Sequence, residues 1–205
     1  MRCVKIAPLF VIGVRYMLFE NFIILGLDIS TQSTGWSVIK YISENKYKMI
    51  DYGTIERNWM DIGETLVFFE NKLNQIISTY HPNGISAEAP FVGANKLVIQ
   101  KLSMFHGVMQ LIAKKEKLPV TYYAVMTLKS KVLGGIKAKN EDGTKKTGKE
   151  MKKEVADKII EIFGKSNFLK EFNDDVTDSI SACVTYCIMN GEPVEKKKKK
   201  GTKKH

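Results

Sequence analysis

Four acidic residues stand where ionised carboxylates are costly or crowded: Asp28, Glu88, Asp175 and Asp178. Asp28 falls within an apolar run and Glu88 ends another, so each charge requires a positive partner nearby. Asp175 and Asp178 are three residues apart, a spacing that places both on one face of a helix. If these carboxylates converge, they cannot all remain ionised unless cations neutralise them.

The residue types predict which cation would serve. Carboxylate oxygens without His or Cys select hard ions, so we expect Mg²⁺, with Mn²⁺ as an alternative. Two such ions about 3.5 to 4 Å apart would hold the attacking water and the leaving oxygen of a phosphodiester. Each acid alone also has a simpler explanation: Asp28 as a cap of the following turn, and Asp175 as a favourable charge in a helix's first turn.

The elements around Asp28 are predicted to form a β-hairpin. The apolar run from Ile23 reads as a strand buried on both faces, residues 30–35 as a polar turn, and residues 36–41 as a second strand. Two fold families begin in this way. RNase H-like nucleases use the Asp to hold a metal, whereas actin-like ATPases and sugar kinases use the turn to hold a phosphate.

The middle of the chain continues this sheet. Residues 46–56 predict a third strand after a turn at Glu44 and Asn45. Asp61, with Glu64 three residues later, caps a helix whose apolar stripe is Ile62, Leu66, Phe69, Leu73, Ile76 and Tyr80. Residues 84–88 form a short fourth strand that we expect to lie beside the first. A helix over 94–116 follows, with an inward stripe of Val98, Leu102, Phe105, Met109 and Ile112.

The last third alternates strand and helix. Residues 120–125 predict a fifth strand and residues 126–133 a short helix, followed by a lysine-rich loop. Thr147 and Glu150 form a capping box that starts the next helix. The final helix, over about 174–189, should bury Val176, Ile180, Cys183 and Cys187. Three cysteines without disulfide or zinc-ligand spacing indicate a reducing, intracellular compartment.

Composition indicates one domain with two tails. The 205 residues, 44% hydrophobic, suffice for one substantial core, which we assign to 23–190. Residues 1–22 are basic and partly apolar, which leaves both an organellar presequence and a plain extension open. Seven of the 32 Lys and Arg residues lie in the last ten positions, so residues 191–205 form a lysine-rich tail expected to bind polyanions. No stretch is long enough to span a membrane.

Motifs in this order resemble the RuvC-type Holliday junction resolvases, and within them a phage or viral branch, over about residues 23–188. The motifs are LGLDISTQSTGWSVI, SAEAPF, GVMQLIAKKEKLPVTYY, LKSKVLGG with the later KKEV, and DDVTDSI. The resemblance implies an α/β, RNase H-like fold, with a mixed five-stranded sheet of three antiparallel and then two parallel strands, flanked by helices. It also implies a homodimer that resolves four-way DNA junctions by paired nicks.

The resemblance also assigns roles to residues. Asp28, Glu88, Asp175 and Asp178 correspond to the four metal-binding acids of the family, which hold two Mg²⁺ ions. Phe91 corresponds to the aromatic residue inserted into the junction centre. Lys129 and Lys152 correspond to two basic active-site residues, of which Lys152 would stabilise charge on the scissile phosphate. Further candidates are the DNA-binding residues Lys149 and Lys153, and the dimer-contact residues Leu97, Met104 and Val108.

The sequence departs from the family pattern at several positions, so alternative functions remain open. Ile29 and Ser30 replace a usual Pro-Gly pair, Trp36 replaces a common Tyr, and the loop before Lys152 is longer than in bacterial members. The alternatives are a less selective nuclease for branched DNA or RNA and a non-catalytic junction-binding protein. An actin-like ATPase would need a second glycine-rich phosphate loop, and DVTDSIS has no glycine.

Overall fold

The computed structural model describes residues 18–57, 61–90, 95–136, 140, 144–168 and 172–191. Within these residues, five strands and five α-helices follow one another in chain order, with one 3₁₀ turn at Lys165–Asn167. They are β1 (Ile23–Ile29), β2 (Ser33–Ser43), β3 (Lys46–Glu56), α1 (Ile62–Tyr80), β4 (Gly84–Glu88), α2 (Lys96–Lys115), β5 (Val120–Tyr123), α3 (Val125–Leu133), α4 (Gly148–Phe163) and α5 (Asp174–Asn190).

The strands form one mixed sheet in the order β3-β2-β1-β4-β5. The β1–β2 and β2–β3 pairs are antiparallel, whereas β4 lies parallel to both β1 and β5. This is the predicted fold class, and the expected adjacency of the first and fourth strands is confirmed. The side chains of β1 and β4 point alternately to two faces of the sheet, and both faces are buried. Helices therefore have to cover the sheet on both sides.

Helix ends are set largely by local chemistry. Asp61 caps α1, since its side chain accepts hydrogen bonds from the backbone N–H groups of Gly63 and Glu64. Thr147 and Glu150 form the predicted capping box at the start of α4. Both caps were predicted because they depend on residues only three apart.

Several predicted boundaries and burial assignments were wrong. The strand β2 already begins at Ser33, so the turn that follows Asp28 and Ile29 is shorter than the predicted 30–35. The fifth strand ends at Tyr123, and Val125 opens α3. Val98 and Ile62 are exposed, because each lies in the first turn of its helix, ahead of the part that packs on the sheet.

Two hydrophobic clusters lie on opposite faces of the sheet. One joins side chains of β1 and β4, including Leu25, Leu27 and Ile85, to α1 and α2. The other joins the opposite face of β1 and β2 to α4 and α5. Leu18 and Phe22 are buried in this second cluster, so the core includes residues ahead of the predicted boundary at residue 23.

The helix α5 is buried along most of its length. Its inward residues include all four predicted ones, and Cys183 and Cys187 are free thiols packed in the core, as expected for small apolar side chains. A helix that is covered on nearly every side behaves as the central element of its layer. Within the described part of the chain, no helix is long and apolar enough to cross a bilayer.

Two glycines allow α5 to approach the sheet closely. A Cβ atom on Gly26 of β1 would lie 2.1 Å from the backbone oxygen of Ser179. A Cβ atom on Gly35 of β2 would lie 2.0 Å from the backbone oxygen of Asp175. Real Cβ contacts are never this short, so any larger residue at either position would push α5 away from the strands.

We expect Gly26→Ala to destabilise the protein by about 1 to 3 kcal/mol, the usual cost of overpacking a core, because backbone has to move to admit the methyl group. The measurement is the free energy of unfolding in urea. Gly107→Ala is the matched control: it lies within α2 with open space around it, and alanine should stabilise a helix there by up to about 1 kcal/mol. Equal stability of Gly26→Ala and the parent would show that α5 is not held against β1.

Candidate active site

The parallel pairing of β1 and β4 brings two of the predicted acids together. Leu27 of β1 is paired with Ala87 of β4, and the next residue on each strand is Asp28 or Glu88. Both acids therefore lie at the carboxyl edge of the same two neighbouring strands. The structure brings them together although 60 residues separate them in the sequence.

The alternation of the strands points both acids towards α5. Gly26, two residues before Asp28, faces the backbone of α5. Ser86, two residues before Glu88, donates a 2.7 Å hydrogen bond to the backbone oxygen of Ala182 in α5. Because side chains two apart on a strand share a face, Asp28 and Glu88 lie on the α5 side of the sheet.

The first turns of α5 complete the acidic group. Asn173 caps the helix through its side chain, which accepts from the backbone N–H of Val176, and the half-buried Asp175 and Asp178 follow in the first turns. Asp175 accepts a hydrogen bond from the hydroxyl of Ser33 in β2. Asp178 acts electrostatically on both Asp28 and Glu88. All four predicted acids therefore meet where β1, β4 and α5 converge.

Two of the predicted lysines reach this group. Lys129 of α3 and Lys152 of α4 both lower the pKa of Glu88, and both also act on Asp178. The Nζ of Lys152 lies 2.8 Å from Oδ2 of Asp174, a fifth acid, and this bond raises the pKa of the lysine. Lys152 is therefore a cation held at the edge of the acidic group.

The acids repel one another in a partly buried place. The pKa of Asp28 is raised to about 8, first by burial and then by the charges of Glu88, Asp178 and Asp175, and Lys152 opposes the shift. The pKa of Glu88 is raised to about 7, again mainly by burial and then by Asp178. Burial likewise raises the pKa of Asp178. Such shifts mark a site that prefers protons or cations to bare negative charge.

The donor chemistry of this site fits a hard divalent cation. It offers carboxylate oxygens with no His or Cys among them, and bound positive charge would remove the repulsion that raises their pKa values. Across the residues that the structure describes, no three His, Cys, Asp or Glu side chains already form a ready coordination group. The fit therefore rests on the donor types and their charge rather than on a preformed cage.

Sequence reasoning missed three residues at this site. Arg57, directly after β3, lies against the turn between β1 and β2, and its charge acts on Asp175. Ser33 donates to Asp175, and Asp174 pairs with Lys152. The sequence signals were weak: Arg57 directly follows an alternating strand, and Asp174 adjoins a predicted acid.

Other predicted site residues lie elsewhere. Lys149 and Lys153 are exposed on α4, whereas Lys129 and Lys152 are the predicted lysines that act on the acids. Phe91 lies outside the described residues, as do most of the N-terminal extension and nearly all of the lysine-rich tail. On α2, Leu97 and Met104 are exposed, but Val108 is partly buried against the α1–α2 core.

Comparison with known families gives one match that spans most of the chain. The model of the family described as crossover junction endodeoxyribonuclease RuvC matches residues 24–161. This range includes β1, β4 and both lysines but ends before α5. The two acids on α5 are thus placed at the site by the tertiary structure and not by the family match.

Individual relatives agree with that match. The chain is 29% identical to a crossover junction endodeoxyribonuclease RuvC of Bacteroides fragilis over 185 residues, 88% of this chain and 90% of that protein. It is 33% identical to one of Protochlamydia amoebophila, over 56% of this chain and 68% of that protein. Among solved structures, Thermus thermophilus RuvC in complex with a Holliday junction superposes with a TM-score of 0.67 at 17% identity, over 84% of this chain and 99% of that one.

We expect the metal-free protein to lose stability as the pH rises from about 5 to about 8. In this window Asp28 and Glu88 hold protons in the folded chain, because their pKa values are raised to about 8 and about 7, but they are ionised in the unfolded chain. The folded state then binds more protons, so the free energy of unfolding falls as the pH increases. Thermal unfolding in EDTA across this range measures the effect.

Asp28→Asn tests the assignment of this pH dependence. The variant should depend less on pH than the parent and should be the more stable of the two near pH 8, since a neutral amide removes a buried charge. Asp157→Asn, at an exposed acid on α4, is the matched control and should follow the parent. If Asp28→Asn has the parent's pH dependence, Asp28 is not the titrating group.

Proposed function

Because the chain belongs to the RuvC family of crossover junction endodeoxyribonucleases, we propose that it resolves four-way DNA junctions by metal-dependent hydrolysis of phosphodiesters. The observation that carries this proposal is the meeting of Asp28, Glu88 and Asp178 with Lys129 and Lys152 at one edge of the sheet. A phosphodiester is anionic, so acids alone would repel it. A group of acids that binds metal cations and is bordered by lysines can instead attract the phosphodiester.

We propose that Asp28, Glu88, Asp175 and Asp178 hold two Mg²⁺ ions, with Mn²⁺ able to replace them. A divalent-metal requirement follows from the family, and the choice of Mg²⁺ is supported by the oxygen-only donor set. When bound, these ions lower the pKa of the attacking water and neutralise charge on the phosphate. The raised pKa values of Asp28 and Glu88 mean that the ions have to displace protons, so affinity for metal should increase with pH.

The lysines supply the remaining positive charge. Lys152 stays protonated at neutral pH, since its bond to Asp174 raises its pKa, and it can stabilise charge that develops on the scissile phosphate. We assign Lys129 a similar electrostatic role from the neighbouring helix, α3. Lys149 and Lys153 are exposed on α4 and are better suited to contacts with the DNA backbone further from the cut.

Selectivity for junctions requires more than this site. A four-way junction is symmetric, so a homodimer with two such sites can nick two opposed strands. We propose that the exposed side chains of Leu97 and Met104 on α2 contribute to the dimer contact, because exposed apolar groups on one helix favour a partner. Phe91, three residues after Glu88, would enter the junction centre, where bases are already partly unstacked.

The basic tail and the N-terminal segment have subsidiary parts in this proposal. The lysines of residues 191–205 would strengthen binding to any DNA form through phosphate contacts. The protein would act inside the cell, in contact with DNA. The segment ahead of the buried Leu18 would serve as an extension of the domain or as a presequence for import into an organelle.

We expect Asp28→Asn, Glu88→Gln and Asp178→Asn each to abolish cleavage of a labelled four-way junction in Mg²⁺ while leaving junction binding intact. Each change removes a metal ligand and also reduces negative charge near the DNA. The assay compares junction, duplex and single-stranded DNA, with Mg²⁺ or EDTA. Glu161→Gln, on the exposed side of α4, is the control and should cut normally.

The same assay separates the alternatives. Near-normal cutting by any of the three variants would remove that residue from the metal site. Equal cutting of junction, duplex and single-stranded DNA by the parent would indicate a less selective nuclease. Junction binding without cutting in any divalent ion would indicate a non-catalytic binding protein.

We expect Phe91→Ala to slow junction cleavage strongly with little change in stability, and Phe91→Tyr to keep most activity. Stacking of a base on an aromatic ring contributes about 1 to 3 kcal/mol, and tyrosine preserves the ring. Junction cleavage rates and thermal unfolding are measured on the same preparations. An alanine variant that cuts as fast as the parent, or that unfolds several degrees lower, would make Phe91 a packing residue.

A further inference from the structure

Arg57 holds the turn that links β1 to β2. Its Nη1 donates a 2.9 Å hydrogen bond to Oγ1 of Thr34, and its Nη2 donates to the backbone oxygen of Ser33 at 2.6 Å and to that of Ser30. Its backbone N–H donates to the oxygen of Gln32 at 3.0 Å. Arg57 thus contacts the turn and the first residues of β2 at four points. This segment begins directly after β1, the strand that carries Asp28.

The guanidinium group is itself fixed from the other side. Its Cζ lies 4.3 Å from the ring centre of Phe105 in α2 and 5.4 Å from that of Phe69 in α1. The two rings pack edge to face with each other. A planar cation stacked on aromatic rings loses little further freedom when it forms hydrogen bonds, so Arg57 is preorganised to hold the turn.

The turn then contacts the acidic site through Ser33. The Ser33 hydroxyl donates to Oδ2 of Asp175, so the same residue that gives its carbonyl to Arg57 gives its hydroxyl to the carboxylate. The positive charge of Arg57 also acts on Asp175 directly. The backbone of Asp175 lies against Gly35 of the next strand, which keeps the helix end close to this turn.

We propose that Arg57 is a positioning residue for the nuclease site, which acts through Ser33 to fix the carboxylate of Asp175 beside Asp28. This inference rests on the proposed function, since it assigns to Arg57 the orientation of a metal ligand. Stability alone does not explain an arginine here. A purely apolar side chain could pack on Phe69 and Phe105 without the cost of burying a charge.

Three variants test the role of each part. Arg57→Met keeps most of the packing on the rings but removes both the charge and the donors. Arg57→Lys keeps the charge but lacks the planar fork, and Ser33→Ala removes only the hydroxyl that reaches Asp175. Lys48→Met, at an exposed lysine on β3, is the matched control for the loss of one positive charge.

The readouts separate positioning from folding and from DNA binding. They are the kcat of junction cleavage at saturating DNA, the Mg²⁺ concentration for half-maximal rate, junction affinity in EDTA, and the rise in Tm on titration with Mn²⁺ alone. We expect Arg57→Met to lower kcat or metal affinity by about 10- to 100-fold, the usual effect of losing a group that orients a metal ligand. Junction affinity in EDTA should match that of Lys48→Met.

The other variants should show graded effects on kcat and on metal dependence. Arg57→Lys should recover part of the loss, and Ser33→Ala should weaken metal dependence in the same direction. The Ser33→Ala and Arg57→Met double variant should be little worse than the more severe single one, because both changes break one chain of contacts. Ser33→Ala also keeps the test valid if Arg57→Met fails to fold.

Other outcomes would overturn the proposal. Parental kcat and metal dependence in Arg57→Met, with a lower Tm only, would make Arg57 a folding residue, and additive losses in the double variant would deny the link through Ser33. If the parent itself cuts no junction, the proposed function fails. The Mn²⁺-induced rise in Tm would still test the positioning role, which is overturned if that rise is the same in Arg57→Met and the parent.

Discussion

The mutual repulsion of acids at the meeting point of β1, β4 and α5 is the constraint on which the rest of the structure depends. Burial alone disfavours the ionised form of Asp28, and its acidic neighbours add to that cost. The fold tolerates this arrangement because the remainder of the domain is firmly packed, with two hydrophobic clusters covering both faces of the sheet. A site that is unfavourable without cations is, for the same reason, one that binds them.

Placing acids from distant segments at one point requires small residues in between. Gly26 and Gly35 leave no room for a Cβ atom between the sheet and α5. Further along α5, the backbone oxygen of Ala182 accepts a hydrogen bond from Ser86 of β4. This bond satisfies the buried hydroxyl of Ser86 where the helix meets the sheet. The helix α5 therefore lies very close to the sheet. This short distance lets the acids in the first turns of α5 interact electrostatically with those of β1 and β4.

Positive charge is distributed around this site at different depths. Lys129 and Lys152 approach the acids from two helices, and Lys152 is also tied to Asp174. Arg57 approaches from the opposite side, beneath the turn between β1 and β2, where burial lowers its pKa to about 10 without removing its charge at neutral pH. The lysines at the outer edge can face a phosphate, whereas the hydrogen bonds of the arginine side chain go to the protein's own Ser30, Ser33 and Thr34.

Local patterns in the sequence determined much of this protein. The capping residues Asp61 and Thr147, the buried face of α5 and the order of strands and helices follow from spacings of a few residues, and the four acids stood out because charge within apolar runs needs a partner. Tertiary structure alone decided the rest. The burial of Leu18, the exposure of Val98 and the contacts of Arg57 depend on which distant surfaces meet, and the close approach of α5 depends on space that only the packed sheet defines. Spacing along the chain does not predict such contacts, because the groups that form them come together only when the sheet and its helices assemble.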